Sequence, residues 1–194
     1  MNKFWTVAAL SLTFASLQQL SANAIVMNFS SILNGAQEVP PTPSPAIGTA
    51  TGTLTGDVGS YVFNYNVNFS DLTSGLTDAH IHNAPPGVSG PVVHPLDNRS
   101  SVLGTTAGSI SGDWRFDDPN NPLTDTLAQE MMNGNLYFNL HTATFPAGEI
   151  RGQITPAATS VPEPSATVGL LLLGAGSVTY GIKSQKNKQK LAIK

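Results

Sequence analysis

Four histidines and no cysteine confine any transition-metal chemistry in this 194-residue chain to imidazole and carboxylate ligands. His80 and His82 stand two apart in Ala79-His80-Ile81-His82. On a strand, that spacing points both rings to one face with Cα atoms about 6.6 Å apart. His141 ends a second strand-like run and is the natural third ligand, completing a three-histidine site suited to zinc or copper. His94, beside Pro95, is a lesser candidate. Histidines at strand ends also hydrogen-bond neighbouring loops, so a purely structural role is the alternative reading.

The remaining polar groups suggest no reaction. The lack of cysteine removes disulfides, thiolate sites and thiol nucleophiles together. No serine-centred nucleophile elbow and no phosphate loop occurs. Glu149 and Arg151 share one face of a strand and read as an exposed ion pair worth about 0.2 to 1 kcal/mol. Asp113, Asp117 and Asp118 offer oxygen ligands to calcium, but their spacing is not that of an EF-hand and a solvated loop is expected. Asn28, Asn68 and Asn98 begin Asn-x-Ser/Thr triplets, which matter only where the glycosylating machinery exists.

Strands must carry these groups. Residues 61–69 alternate Tyr61, Phe63, Tyr65, Val67 and Phe69 against three asparagines, the pattern of a half-buried strand. The Thr- and Gly-rich segment 48–57, followed by a turn at residues 57–60, completes a hairpin with it. Residues 135–141 set Leu136, Phe138 and Leu140 against Tyr137, Asn139 and His141, which predicts a second amphipathic strand. Leu123, Leu127 and Met131 are spaced i, i+4, i+8 before Gly134 and predict one short helix within residues 122–134. Residues 113–121 read as a polar loop. A faint echo links the segments after His82 and His141: each histidine is followed by a proline turn and a glycine-punctuated strand.

The two ends differ from the middle. Met1 to Lys3 is a short positive start, residues 4–17 are apolar, and a polar stretch ends in Ala22-Asn23-Ala24. This is the plan of a secretory signal peptide with cleavage expected after Ala24. At the other end an uncharged span, residues 166–182, is followed by five lysines. Seventeen helical residues reach roughly 25 Å, enough for a thin bilayer, with the lysines holding the C-terminus in the cytoplasm. Between the ends, residues 25–160 hold three arginines against eleven carboxylates, a net charge of -8. Such a domain repels phosphate backbones, so nucleic acid is excluded as a partner and cations are favoured.

Two resemblances rest on these residues. Val161-Pro162-Glu163-Pro164-Ser165, the apolar span and the basic tail together resemble the PEP-CTERM sorting signal. That resemblance implies a bacterial host, an exosortase-type sorting enzyme as partner, removal of the tail, and delivery to the envelope or an extracellular polysaccharide matrix. The tail carries lysines where that family often has arginines. Leu33 to Pro41, Ala79-His80-Ile81-His82, Leu136 to Thr142 and Pro146 to Ile154, in that order, resemble the CHRD domain over roughly residues 31–154. This implies an all-β fold, an immunoglobulin-like Greek-key β-sandwich similar to that of copper/zinc superoxide dismutase, with one short helix; it implies no known reaction.

The expected organisation is a signal peptide (1–24), a β-sandwich domain (25–155), a linker with the Pro-Glu-Pro motif (156–165), a transmembrane segment (166–182) and a cytoplasmic tail (183–194). The expected function is non-enzymatic: an exported surface or matrix protein that binds envelope polysaccharide or protein. The competing class is a redox-active extracytoplasmic domain holding copper or zinc through His80, His82 and His141.

Overall fold

The computed structural model describes residues 24–157. The expected signal peptide up to Asn23, the motif Pro162-Glu163-Pro164, the apolar span 166–182 and the lysine tail lie outside the described residues. Among the described residues, no helix is long and apolar enough to cross a membrane.

Residues 61–69 fold as their alternation predicts. Strand β3 (Val62–Ser70) buries Phe63, Tyr65, Val67 and Phe69 and leaves Asn64 and Asn68 exposed. It pairs antiparallel with β2 (Ile47–Gly56) across the expected turn, which Ser60 N–H closes by donating to the Asp57 carbonyl at 2.9 Å. Gly59 takes φ 81° in that turn, a backbone region that side-chain-bearing residues disfavour. The small residues of β2 have a steric cause: a side chain at Gly52 would run into the ring of Phe63.

Strand β1 (Ile25–Asn34) adds to the far side of β2, and β6 (Gly108–Arg115) adds to β3. The second group centres on β4 (Leu76–Asn83), flanked by β5 (Val92–Pro95) and β7 (Leu136–Thr142), with β8 (Ile150–Gln153) beyond β7. Asn34 and Arg151 connect β1 to β8, and β9 (Thr155–Pro156), which also pairs with β1, ends one residue past the expected end of the domain. The order β5-β4-β7-β8-β1-β2-β3-β6 places β3 beside β6 and β4 beside β7, crossings of the Greek-key kind.

The two strand groups face each other across an aromatic core. Tyr65 of β3 meets Phe138 of β7 with ring centroids 6.0 Å apart, and Phe29 meets Phe63 edge to face at 5.8 Å. Each fully buried large apolar side chain contributes about 1.5 to 3 kcal/mol, so this layer holds the sandwich together. The expected all-β fold with one short helix is therefore present. Helix α1 (Asp125–Met132) starts where Thr124 Oγ1 accepts from Leu127 N–H, and it buries Ala128 and Met131. Asp125 also accepts from Gly59 N–H at 2.7 Å, tying the helix to the β2–β3 turn.

Three expectations need correction. Asp113 to Arg115 are not loop but the end of β6, because Ile110 and Trp114 point into the core while Asp113 and Arg115 face solvent. The loop proper is residues 116–121. Asp117 there pairs with Arg115 Nε at 2.9 Å, and Asp118 caps the Asn120 and Asn121 N–H groups, so neither stands free as an oxygen ligand. Strand β7 is buried on both faces rather than one, since loops cover its outer side. Glu149 and Arg151 are not an exposed pair: they are 0 % and 3 % exposed and have separate partners.

Candidate metal centre

Strand β4 turns Ala79 and Ile81 into the core and His80 and His82 to its outer face, as their spacing requires. In the antiparallel register His80 lies opposite Asn139 and Asp78 lies opposite His141. His141 is therefore the diagonal neighbour of His80 on that face, within reach of its ring. The β4–β5 register slips between Ile81 and His82, the kind of irregularity that re-aims a side chain. The three imidazoles converge, with one ligand nitrogen from each lying within 4.8 Å of the others. His94 does not join them. It is 1 % exposed and stacks on Trp114 at 5.1 Å.

The protonation of each ring follows from its partner. His82 Nδ1 lies 2.9 Å from the Gly90 carbonyl and His141 Nδ1 lies 3.1 Å from the Pro146 carbonyl. Carbonyls only accept, so both Nδ1 atoms carry the proton and both Nε2 atoms present lone pairs. His80 is held the other way round, with Nε2 3.1 Å from Asp78 Oδ2. Its Nδ1 then holds the lone pair, and that atom lies 3.2 Å from His141 Nε2. A hydrogen bond there would need a proton that neither atom has. His82 Nε2 is buried with no partner at all. Two nitrogens bound to one ion at about 2.0 to 2.1 Å sit roughly 3 to 3.4 Å apart, the spacing of the His80 and His141 nitrogens.

The electrostatics agree. Burial pushes the pKa of all three histidines below the ordinary imidazole value, and their mutual proximity adds to it, so the rings favour the neutral form that ligates metal. Asp78 would be pushed up by its own burial, but the Ala79 N–H, His80 and the Arg99 guanidinium outweigh that and hold its carboxyl low. Arg99 Nε donates to Asp78 Oδ1 at 2.5 Å, so a loop beyond β5 sets the carboxylate that sets His80. The His80 side chain keeps 18 % of its exposure, giving the centre its opening to solvent.

Beside the centre lies a stack that sequence reading missed. Tyr137 packs flat against His82, with centroids 5.0 Å apart and planes 15° from parallel, and the Arg151 guanidinium lies 4.7 Å from the same ring. Tyr137 Oη accepts from Gly90 N–H, fixing the loop whose carbonyl holds His82. Arg151 is anchored through Nε to the Gln37 carbonyl and through Nη1 to the Val88 carbonyl at 3.0 Å.

The model of the CHRD domain matches residues 29–154. The chain belongs to the CHRD family. Comparison with curated proteins and with solved structures found no match. The CHRD span takes in most of β1 and all of β2 to β8, so every side chain of the histidine centre falls inside it. Membership points to a binding or structural domain and carries no reaction with it.

Within the CHRD domain, two acids, Glu149 and Glu38, are buried, which their sequence does not reveal. Glu149 accepts from Ser44 Oγ at 2.6 Å, Thr73 N–H at 2.7 Å, Thr73 Oγ1 at 3.0 Å and Thr142 Oγ1 at 2.5 Å. Burial alone would raise its pKa, but these donors outweigh it and lower the value. Glu149 thereby ties the loops of Ser44 and Thr73 to the end of β7 that carries His141. Glu38 is the opposite case. Its Oε1 is buried without a partner, and desolvation lifts its pKa from 4.5 to about 7 despite Arg151 nearby. The i, i+2 signal that found His80 and His82 also reaches back to Asp78, whereas nothing local marks Arg99, Glu38 or Glu149.

Proposed function

We propose that this CHRD domain is an extracytoplasmic metal-binding module that holds one copper or zinc ion through His80 Nδ1, His82 Nε2 and His141 Nε2. The observation that supports the reading is that the three rings each offer a ligand nitrogen within 4.8 Å of the others, while the Gly90 and Pro146 carbonyls and Asp78 draw their protons to the opposite ring nitrogens. Three imidazoles without thiolate or carboxylate suit either metal, and the usual order of affinities favours Cu(II) over Zn(II). Asp78 and the Gly90 and Pro146 carbonyls would be the outer partners that orient the ligands. The reading is of binding rather than turnover.

The two targeting patterns support a place for it. A signal peptide cut after Ala24 would release a chain beginning at Ile25, the first residue of β1. The Pro162-Glu163-Pro164 pattern would then hand the protein to an exosortase-type enzyme and to the envelope, among whose polysaccharides or proteins its partners would lie.

The test is metal analysis of the full-length chain, stripped with chelator, offered Cu(II) or Zn(II) and freed of excess. One equivalent per chain is expected, and His82→Ala and His141→Ala should each abolish it; bound Cu(II) should show nitrogen couplings in its paramagnetic resonance spectrum. Absence of stoichiometric metal in the folded native chain would rule the centre out.

A further inference from the structure

The outer face of the β1-β2-β3-β6 group is an ordered grid of hydroxyl and amide side chains. The register places Asn28, Thr53, Asn64 and Asp113 in one row across the four strands. Ser30, Thr51, Asn66 and Ser111 form the next row, and Ile32, Thr49, Asn68 and Ser109 the third. All twelve positions are exposed or half-buried. At the usual strand and residue spacings the grid covers about 14 by 13 Å.

Two properties make this face unlike an ordinary surface. Protein surfaces normally carry about a quarter to a third charged residues. Here one position in twelve, Asp113 at a corner, is charged, within a domain whose net charge is -8. Nearly half of the polar groups are also unspent. Thr53 donates to Asn28, Asn66 to Ser109 and Asn68 to Asn66, but among the described residues the side chains of Ser30, Thr49, Thr51, Asn64 and Ser111 have no hydrogen-bond partner. Hydroxyls and amides both donate and accept. At one end of the grid Ile32 and Ile47 are 70 % and 60 % exposed and add an apolar corner.

We infer that this face binds a neutral polysaccharide. An uncharged polyhydroxyl chain offers alternating donors and acceptors to the Thr, Asn and Ser rows and apolar C–H ring faces to Ile32 and Ile47. Charge narrows the choice: the domain's net charge repels an acidic polymer, and a basic one, though drawn to the domain as a whole, finds on this grid only Asp113, which Arg115 already pairs at 3.6 Å. The inference narrows the envelope-partner reading to one chemistry and one surface, and it is independent of the metal centre on the other strand group.

Affinity electrophoresis of the full-length chain in detergent tests it. The gels would contain dextran, hydroxyethyl cellulose or galactomannan as neutral probes, and alginate as the acidic one. Retardation by at least one neutral polymer and none by alginate is expected, unchanged by EDTA. Thr51→Glu and Asn66→Asp, at exposed and half-buried positions that the fold does not need, should weaken retardation at least tenfold, whereas Val58→Glu in the β2–β3 turn should not. No retardation by any neutral polymer, or equal retardation of native and Thr51→Glu chains, would overturn the inference. So would loss of retardation with EDTA, or a concentration-dependent dimer in sedimentation that Thr51→Glu dissolves, which would make a second copy the occupant. Capture of alginate or of an envelope protein alone would overturn it too, while leaving the broader envelope reading standing.

Discussion

The outer faces of the two strand groups begin from the same alternation and end in opposite states. On β1-β2-β3-β6 the outward residues meet water, and the rows of Thr, Asn and Ser stay exposed. On β7 the outward residues Tyr137, Asn139 and His141 lie beneath loops and are buried. Strand geometry decides only which way a side chain points. What arrives from elsewhere in the chain decides whether that direction is surface or interior, and only the covered face has polar groups whose protonation is fixed.

The strongest way to break the covered face is to remove Glu149. Charge-assisted hydrogen bonds are worth about 1.5 to 3 kcal/mol each, and four converge here, so Glu149→Ala should cost about 3 kcal/mol or more in urea unfolding of the metal-free chain. Because its folded pKa is depressed, the native contribution should be present above pH 4.5 and fade as acid titrates the folded carboxyl. Glu38 has the reverse sign. With its pKa lifted to about 7, the folded state keeps a proton that the unfolded chain has released, so its contribution is intact below pH 4.5 and declines as pH rises toward 7. Glu38→Gln should remove that decline, raising stability at pH 8 by up to about 3 kcal/mol relative to the native chain.

Metal should act on the covered face alone. Cu(II) at a hundred times its dissociation constant adds about 2.7 kcal/mol to folding stability, seen as a higher melting temperature that His82→Ala loses. Asp78→Asn leaves all three ligands in place but weakens the hold on His80. The expected loss is 10- to 100-fold in metal affinity, measured by competition with a chelating dye. The smallest effect belongs to the open face, where Thr51→Ala should change unfolding free energy by no more than about 0.5 kcal/mol.

These contrasts mark how far the sequence could be read. The hairpin of β2 and β3, the helix after Pro122, strand β7 and the pairing of His80 with His82 all follow from local period, and local period is what a single chain displays. Asp113-Trp114-Arg115 was misread because two charged residues flank the one that enters the core. Glu149 and Arg151 were placed on the right face of the right strand, but that face is roofed by residues far away in sequence: Ser44 and Thr73 reach Glu149, and the Gln37 and Val88 carbonyls hold Arg151. The convergence of His141 on His80 depends on the β4–β7 crossing, a long-range pairing. Its only trace in the sequence is the echo of histidine, proline turn and glycine.

That echo has a consequence for how the protein can vary. The loops after His82 and His141 each return one backbone carbonyl to the ring that precedes them. Surface loops ordinarily tolerate insertions and deletions. Here an added residue that moved the carbonyl away would leave the ring free to take the other tautomer, with its N–H turned into the centre. Loop length is thereby tied to which nitrogen is free, and these two proline turns should hold their length in descendants of this chain that keep the three histidines, while the turn at Val58 drifts.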